Sequence, residues 1–185
     1  MKTPVMNTLQ ASPHGRYSAP AIFFHWSLAV LILTLIGLGW YMLSIEKEPG
    51  SAWYFDLHKS LGLTAAVLVV LRLVRRIGHA PAALPDTLAA WQTTAAKITH
   101  ALLYLLMLLM PITGYLGASF SGDGVAFFGL PTPGWASKNE VLKEQFFTAH
   151  SIIAWILVGF VSVHVLGAFK HLWIDQDGVF QRMLP

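Results

Sequence analysis

The chain has 185 residues, 55% of them hydrophobic and only 11% charged, with a formal net charge of +3; water-soluble domains carry about 25% charged residues. That length suits one domain, the composition calls for a bilayer as solvent, and so few charges cannot build a basic face for nucleic acid. The lack of cysteine excludes disulfides, thiolate metal sites, iron–sulfur clusters and covalent c-type haem attachment.

In chain order, residues 1–16 read as a polar N-terminal tail and 17–185 as one transmembrane domain. The apolar stretch after the tail is too long for a signal-peptide core, so no cleavable signal is expected. A spanning helix needs about 20 mostly apolar residues. Tyr17 to Ile45 carries no charge and predicts a first helix over about 21–44, closed by Pro49-Gly50. A second helix is expected over about 56–77, from Asp56 and Lys59 through an uncharged middle to Arg72, Arg75 and Arg76. Pro81 and Pro85 mark the next link. The uncharged Ile98–Gly122 predicts a third helix over about 97–118, which Pro111 should kink. A loop over about 119–146 holds Gly122, Gly124, Gly129, Pro131, Pro133 and Gly134, and Lys138–Phe147 reads as a short interfacial helix within it. The uncharged Gln145–Phe169 predicts a fourth helix over about 147–171.

Lysine and arginine set the orientation. Lys2, Arg16, Arg72, Arg75, Arg76, Lys97, Lys170 and Arg182 collect on one side, against Lys47, Lys59, Lys138 and Lys143 on the other. The expectation is a multi-pass protein of a bacterial inner membrane with both termini in the cytoplasm.

Ionisable groups inside a span are costly and usually functional, so the histidines carry the information. His25 opens helix 1 on the cytoplasmic side and His58 opens helix 2 on the opposite side. His100 lies near the cytoplasmic start of helix 3. His150 and His164 are fourteen residues apart on helix 4, about four turns or roughly 21 Å, and so face nearly the same way at two depths. Sorting by depth pairs His58 with His150 in an outer layer and His25 with His164 in an inner one. Two such layers, with imidazoles from different helices, are the arrangement that two six-coordinate b haems stacked across a four-helix bundle require. Gly37, Gly62, Gly114, Gly159 and Gly167 thin the helices for a porphyrin face or for plain helix packing. Arg72 should reach the inner layer, as a cation for haem propionates or as a snorkelling arginine that sets orientation. His100 is a spare: it can replace His25, line a quinone pocket or pack. His171 belongs to a quinone or proton site or to the interface, while His14 and His79 read as surface residues.

These residues resemble the bacterial cytochrome b561 family, four-helix dihaem relatives of the cytochrome b subunits of nickel–iron hydrogenases. The carriers are Phe24-His25-Trp26, the run Leu57-His58-Lys59-Ser60-Leu61-Gly62 with Leu71-Arg72-Leu73, His100 to Tyr104 with Pro111-Ile112-Thr113-Gly114, Phe128-Gly129-Leu130-Pro131, the His150/His164 pair and the closing Lys170 to Pro185. The resemblance implies His25 and His164 as ligands of a cytoplasmic haem, His58 and His150 as ligands of a periplasmic one, and a non-ligand role for His100. It ties the position of His171 to ubiquinone in a member described as a superoxide oxidase, although Leu172 stands where some members carry a second histidine.

The expected function is electron transfer between a periplasmic donor (superoxide or a redox protein) and ubiquinone in the lipid bilayer. Bis-histidine ligation leaves no open iron position for oxygen or substrate. A second class is a haem-bearing membrane anchor serving a separate periplasmic dehydrogenase or hydrogenase. A third, a histidine-lined metal transporter, would want carboxylates and imidazoles converging near the midplane, and no carboxylate lies inside a span.

Overall fold

The computed structural model describes residues 15–79 and 88–185. Lys2, His14, Pro81 and Pro85 lie outside them. Four long helices make the fold: α1 (Ala19–Ser44), α2 (Ala52–Gly78), α3 (Ala90–Ser121) and α4 (Glu140–Lys170). Each is long and apolar enough to cross a bilayer. The architecture is an all-α four-helix membrane bundle, as the uncharged runs require.

Helix ends depart from the hydropathy reading where polar residues extend a helix beyond its apolar part. α3 begins at Ala90, about two turns before the apolar run, because Trp91 to Lys97 contains no helix breaker. Lys138–Phe147 does not form a separate interfacial helix. Asn139 caps α4 instead, its side chain accepting from the Leu142 N–H at 3.0 Å, so Glu140 to Phe147 is the opening of the fourth span. α3 continues through Pro111. At its far end α4 loosens into a π-helical turn, His171–Asp175.

Between α3 and α4 the chain makes a small hairpin, β1 (Ala126–Phe127) against β2 (Leu130–Pro131). Its two-residue turn has both residues at positive φ, Phe128 at 48° and Gly129 at 84°, the twist that tight hairpins favour. A phenylalanine in that conformation needs support. Ser60 of α2, 2% exposed, accepts from the Phe128 N–H at 3.0 Å and donates to Asp56 O at 2.8 Å.

At the opposite end the first described residues, Gly15 and Arg16, meet the C-terminal segment. Arg16 donates to Leu184 O at 2.7 Å and Pro185 O at 2.9 Å. Trp26 Nε1 donates to Met183 O at 2.8 Å, and the buried Arg182 donates from Nε to Gly15 O at 2.6 Å. Arg75 of α2 donates to Ser18 at 2.7 Å, and Gln92 of α3 to Asp175 at 3.1 Å. The bundle therefore has a hairpin end and a tail end.

Its interior is thin. Leu103, Leu106 and Leu157 form the buried cluster, with Ile32, Met107 and Phe160 against it, while Val30, Leu33, Val67, Val74, Ile152 and Leu166 face outward. Lipid tails are as apolar as leucine, so close packing rather than hydrophobic burial must hold such helices together. α3 lies along α4, α1 along α2 and α2 along α3, and the α1–α4 pair is left more open. Gly117 permits the α3–α4 approach: a Cβ there would stand 2.8 Å from the Phe147 ring. Gly117→Ala should therefore overpack this seam and cost about 1–3 kcal/mol, read as a lower thermal midpoint in detergent. Gly159→Ala, whose Cβ would meet open space, should leave the midpoint unchanged.

Candidate haem-binding site

The imidazoles gather inside the bundle, those of α1, α2 and α3 turned toward the two on α4. At the hairpin end, His58 of α2 faces His150 of α4 with ring centroids 6.3 Å apart. At the tail end, His25 of α1 faces His164 of α4 with centroids 6.2 Å apart. Two imidazoles sharing one metal ion, each nitrogen about 2 Å from it, bring their centroids to about 6 Å. Both pairs sit at that separation, on different helices and at opposite ends of α4. His100 of α3 approaches His164 more closely, at 5.3 Å, so the tail end holds three imidazoles. His25 is the one whose spacing repeats that of the hairpin-end pair.

The surroundings of each ring say which nitrogen is free. His150 Nδ1 lies 3.0 Å from Met110 O and 3.2 Å from Thr113 Oγ1. A bond from Nδ1–H to the carbonyl fixes the tautomer and leaves Nε2 with its lone pair outward, the state in which histidine binds a metal. Thr113 is buried and donates to Leu109 O at 2.9 Å, so its oxygen is anchored. His25 and His58 each bury Nδ1 without a hydrogen-bond partner among the described residues. An unpaired polar atom away from water is costly, and two of them in the two layers mark positions that an additional group completes.

A cavity of about 280 Å³ adjoins the hairpin-end pair, lined by His58, His150, Gly39, Gly62, Trp40 and Trp155 among others. Trp40 of α1 and Trp155 of α4 meet across it with centroids 5.5 Å apart. Glycine gives the rings room in two places. A Cβ on Gly114 would stand 3.0 Å from His150 Cε1, and one on Gly39 would stand 3.4 Å from His58 Cε1. Of the five glycines singled out in the sequence, Gly114 alone abuts an imidazole and Gly62 lines the cavity. Gly37, Gly159 and Gly167 border open space. Gly39 escaped notice because nothing in its spacing distinguishes it from Gly37.

Arg72 of α2 lies with its guanidinium 5.6 Å from the Tyr104 ring centroid, and Arg76 lies 5.5 Å from the same centroid. Among the described residues, Arg72, Arg75 and Arg76 have no carboxylate within ion-pair distance. The lysines of the hairpin end differ. Lys59 pairs with Asp56 at 2.7 Å, and Lys138 and Lys143 pair with Glu140 at 3.1 and 2.8 Å. His171 lies on the π-helical turn with Asp175, and Asp177 beyond the turn joins them. Sequence reasoning missed Asp177, since a partner six residues away matches no helical spacing, and it left the i,i+4 partner Asp175 unread. His79 is exposed at the end of α2.

A family model described as prokaryotic cytochrome b561 matches residues 16–185. The chain belongs to that family. It is 29% identical over 173 residues to cytochrome b561 homolog 2 of Escherichia coli (strain K12), covering 91% of each chain. It is 26% identical over 180 residues to cytochrome b561 homolog 1 of the same organism, covering 92% of this chain and 98% of that one. A probable superoxide oxidase, CybB, of Yersinia pestis is 25% identical over 175 residues, covering 93% and 97%. Membership makes the protein a bacterial membrane cytochrome that transfers electrons and binds b-type haem. The donor set fits that group: neutral imidazoles in facing pairs, buried ring nitrogens awaiting a partner, and glycines where a Cβ would crowd the rings.

Gly114→Ala would push on a ring already fastened through Nδ1. It is expected to lower the haem retained per chain, measured as pyridine haemochrome. Gly37→Ala, which meets nothing, should retain the full amount.

Proposed function

We propose that this cytochrome holds two b haems and carries electrons from the periplasmic side of the bacterial inner membrane to ubiquinone near its cytoplasmic side. The observation that carries the reading is the pair of imidazole couples at matched separations, 6.3 and 6.2 Å, near opposite ends of one bundle. His58 and His150 would hold the periplasmic group, and His25 and His164 the cytoplasmic one. Haem iron held by two imidazoles exchanges one electron at a time and offers no open coordination position.

The chain's own residues do the rest. Met110 O and Thr113 keep Nε2 of His150 free to coordinate. Trp40 and Trp155 screen the hairpin-end cavity from lipid. Arg72, with no carboxylate of its own among the described residues, is suited to a propionate. His100 packs beside His164 and stays outside the ligand set. The concentration of arginine at the tail end supports a cytoplasmic location for both termini. His171, at that end, is the proposed contact for ubiquinone.

Superoxide is the donor suggested by the relative named as a probable superoxide oxidase. The hairpin end does not steer anions, since Lys59, Lys138 and Lys143 are paired with carboxylates and Lys47 stands between Glu46 and Glu48. Reaction there would rest on access to the cofactor edge rather than on long-range attraction.

A reduced-minus-oxidised spectrum with a pyridine haemochrome assay tests the ligand set. About two haems per chain are expected, falling to about one in His58→Ala or His25→Ala and unchanged in His100→Ala. A colourless wild-type protein would end the reading. With an enzymatic superoxide source and a short-chain ubiquinone, the holoprotein should accelerate quinone reduction; no acceleration would remove superoxide as the donor.

A further inference from the structure

His171 does not stand alone at the tail end. Its Nδ1 lies 2.6 Å from Asp177 Oδ2, and the other oxygen of the same carboxylate accepts from the Val179 N–H at 3.0 Å. The two side chains are only 18% and 11% exposed, so water does not compete freely for the bond. The backbone is bent to make this contact. Gln176 and Gly178, on either side of Asp177, have φ of 49° and 78°, left-handed conformations that turn the chain back toward the π-helical turn carrying His171. A non-glycine residue in that region is uncommon.

The neighbouring acid is spoken for. Asp175 pairs with Lys170 and accepts from Gln92 at 3.1 Å, and it lies 3.4 Å from His171 Nδ1. The carboxylate left to His171 is Asp177.

We infer that Asp177 is a positioning residue for proton delivery at the ubiquinone site, holding the His171 ring by Nδ1 so that Nε2 faces the quinone. This rests on the reading of His171 as the quinone contact. Quinone takes up two electrons and two protons to become quinol. The electrons come from the one-electron donor at the periplasmic side. One proton passes from Nε2–H of protonated His171 to one quinone oxygen, which forms an O–H bond as the N–H bond breaks. His171 is left neutral, its Nδ1–H still on Asp177, and is recharged from cytoplasmic water. The second quinone oxygen takes its proton from water at the interface. An imidazole held by a carboxylate in this way loses little time to wrong tautomers or ring rotations.

Asp177→Asn separates this role from a structural one. Asparagine keeps an oxygen for the Val179 N–H and so preserves the turn, but it removes the negative charge from His171. The experiment uses haem-loaded protein, reduced with dithionite, freed of reductant and mixed anaerobically with a short-chain ubiquinone, rates being normalised to haem. Asp177→Asn is expected to slow haem reoxidation at saturating quinone by about 10- to 100-fold, with the half-saturating quinone concentration changed less than about twofold. Asp177→Glu should recover part of the rate. The double variant with His171→Ala should be no slower than His171→Ala alone, because the two residues act as a unit.

A wild-type rate in Asp177→Asn beside a slow His171→Ala would overturn the role of Asp177 while leaving the quinone contact standing. Wild-type protein that ubiquinone fails to reoxidise, or a His171→Ala variant as fast as wild type, would instead overturn the quinone contact and this inference with it. Should Asp177→Asn lose haem, Asp177→Glu decides alone: a wild-type rate overturns the inference, and an intermediate rate supports it.

Discussion

An imidazole nitrogen inside a bilayer must find a partner within the protein, because lipid supplies none. Much of the bundle's organisation follows from that constraint. His150 satisfies one nitrogen on Met110 O and Thr113, which orients the other. His25 and His58 have a buried Nδ1 with no partner among the described residues, so these rings depend most on what their layers hold. A four-helix bundle that packed all its helices equally would have no room to meet that need. Here the α3–α4 seam is tight and the α1–α4 side is open. Trp40 and Trp155 close part of the gap with flat rings rather than with a continuous leucine core.

The same constraint explains which parts of the molecule were legible in the sequence. Hydropathy finds spans because backbone in lipid must be helical, and the fourteen-residue step from His150 to His164 gives depth and facing together, since helical geometry converts sequence distance into both. Depth pairs His58 with His150 and sets His25 at the level of His164, and in the folded bundle the ring centroids of the two pairs lie 6.3 and 6.2 Å apart. Depth could not separate His25 from His100, because both lie near the tail end and both approach His164; only three-dimensional spacing distinguishes them. Helix ends were less legible. Trp91 to Lys97 and Glu140 to Phe147 are too polar to count as span yet contain nothing that stops a helix, so α3 and α4 extend beyond the membrane-like region. The Asp177 contact was illegible for another reason. It depends on left-handed backbone at Gln176, and no side-chain pattern announces that.

The two ends of the bundle treat charge differently, and the difference bears on where chemistry can occur. At the hairpin end, Asp56 pairs with Lys59 and Glu140 with both Lys138 and Lys143, while Glu46, Glu48, Asp123 and Glu144 outweigh Lys47, leaving a surface of mixed charge without a strong positive field. At the tail end, Arg72 and Arg76 flank Tyr104 with no carboxylate beside them among the described residues, while Lys170, Asp175, His171 and Asp177 form a connected group at the boundary. One end is electrostatically quiet and the other combines cations with groups able to move a proton. Reduction of a quinone adds negative charge that protons must cancel, and the proposed quinone contact at the tail end is where both are available.

This division also says where specificity resides in the family. The proposed ligands and the helices carrying them accomplish one generic task, holding a one-electron carrier in a lipid-facing bundle, and saturated iron gives them no means of choosing a substrate. Selection has to come from the edges. At the hairpin end the candidates are the Phe128–Gly129 turn held by Ser60 and the Trp40–Trp155 pair; at the tail end they are the π-helical turn and the loop that folds Asp177 back onto His171. Relatives that match more than nine-tenths of this chain at 25–29% identity differ from it at most positions, which leaves ample sequence for such edges to diverge. A common fold is therefore weak evidence for a common donor, and the identity of residues at the two rims is the better guide to what each member oxidises and reduces.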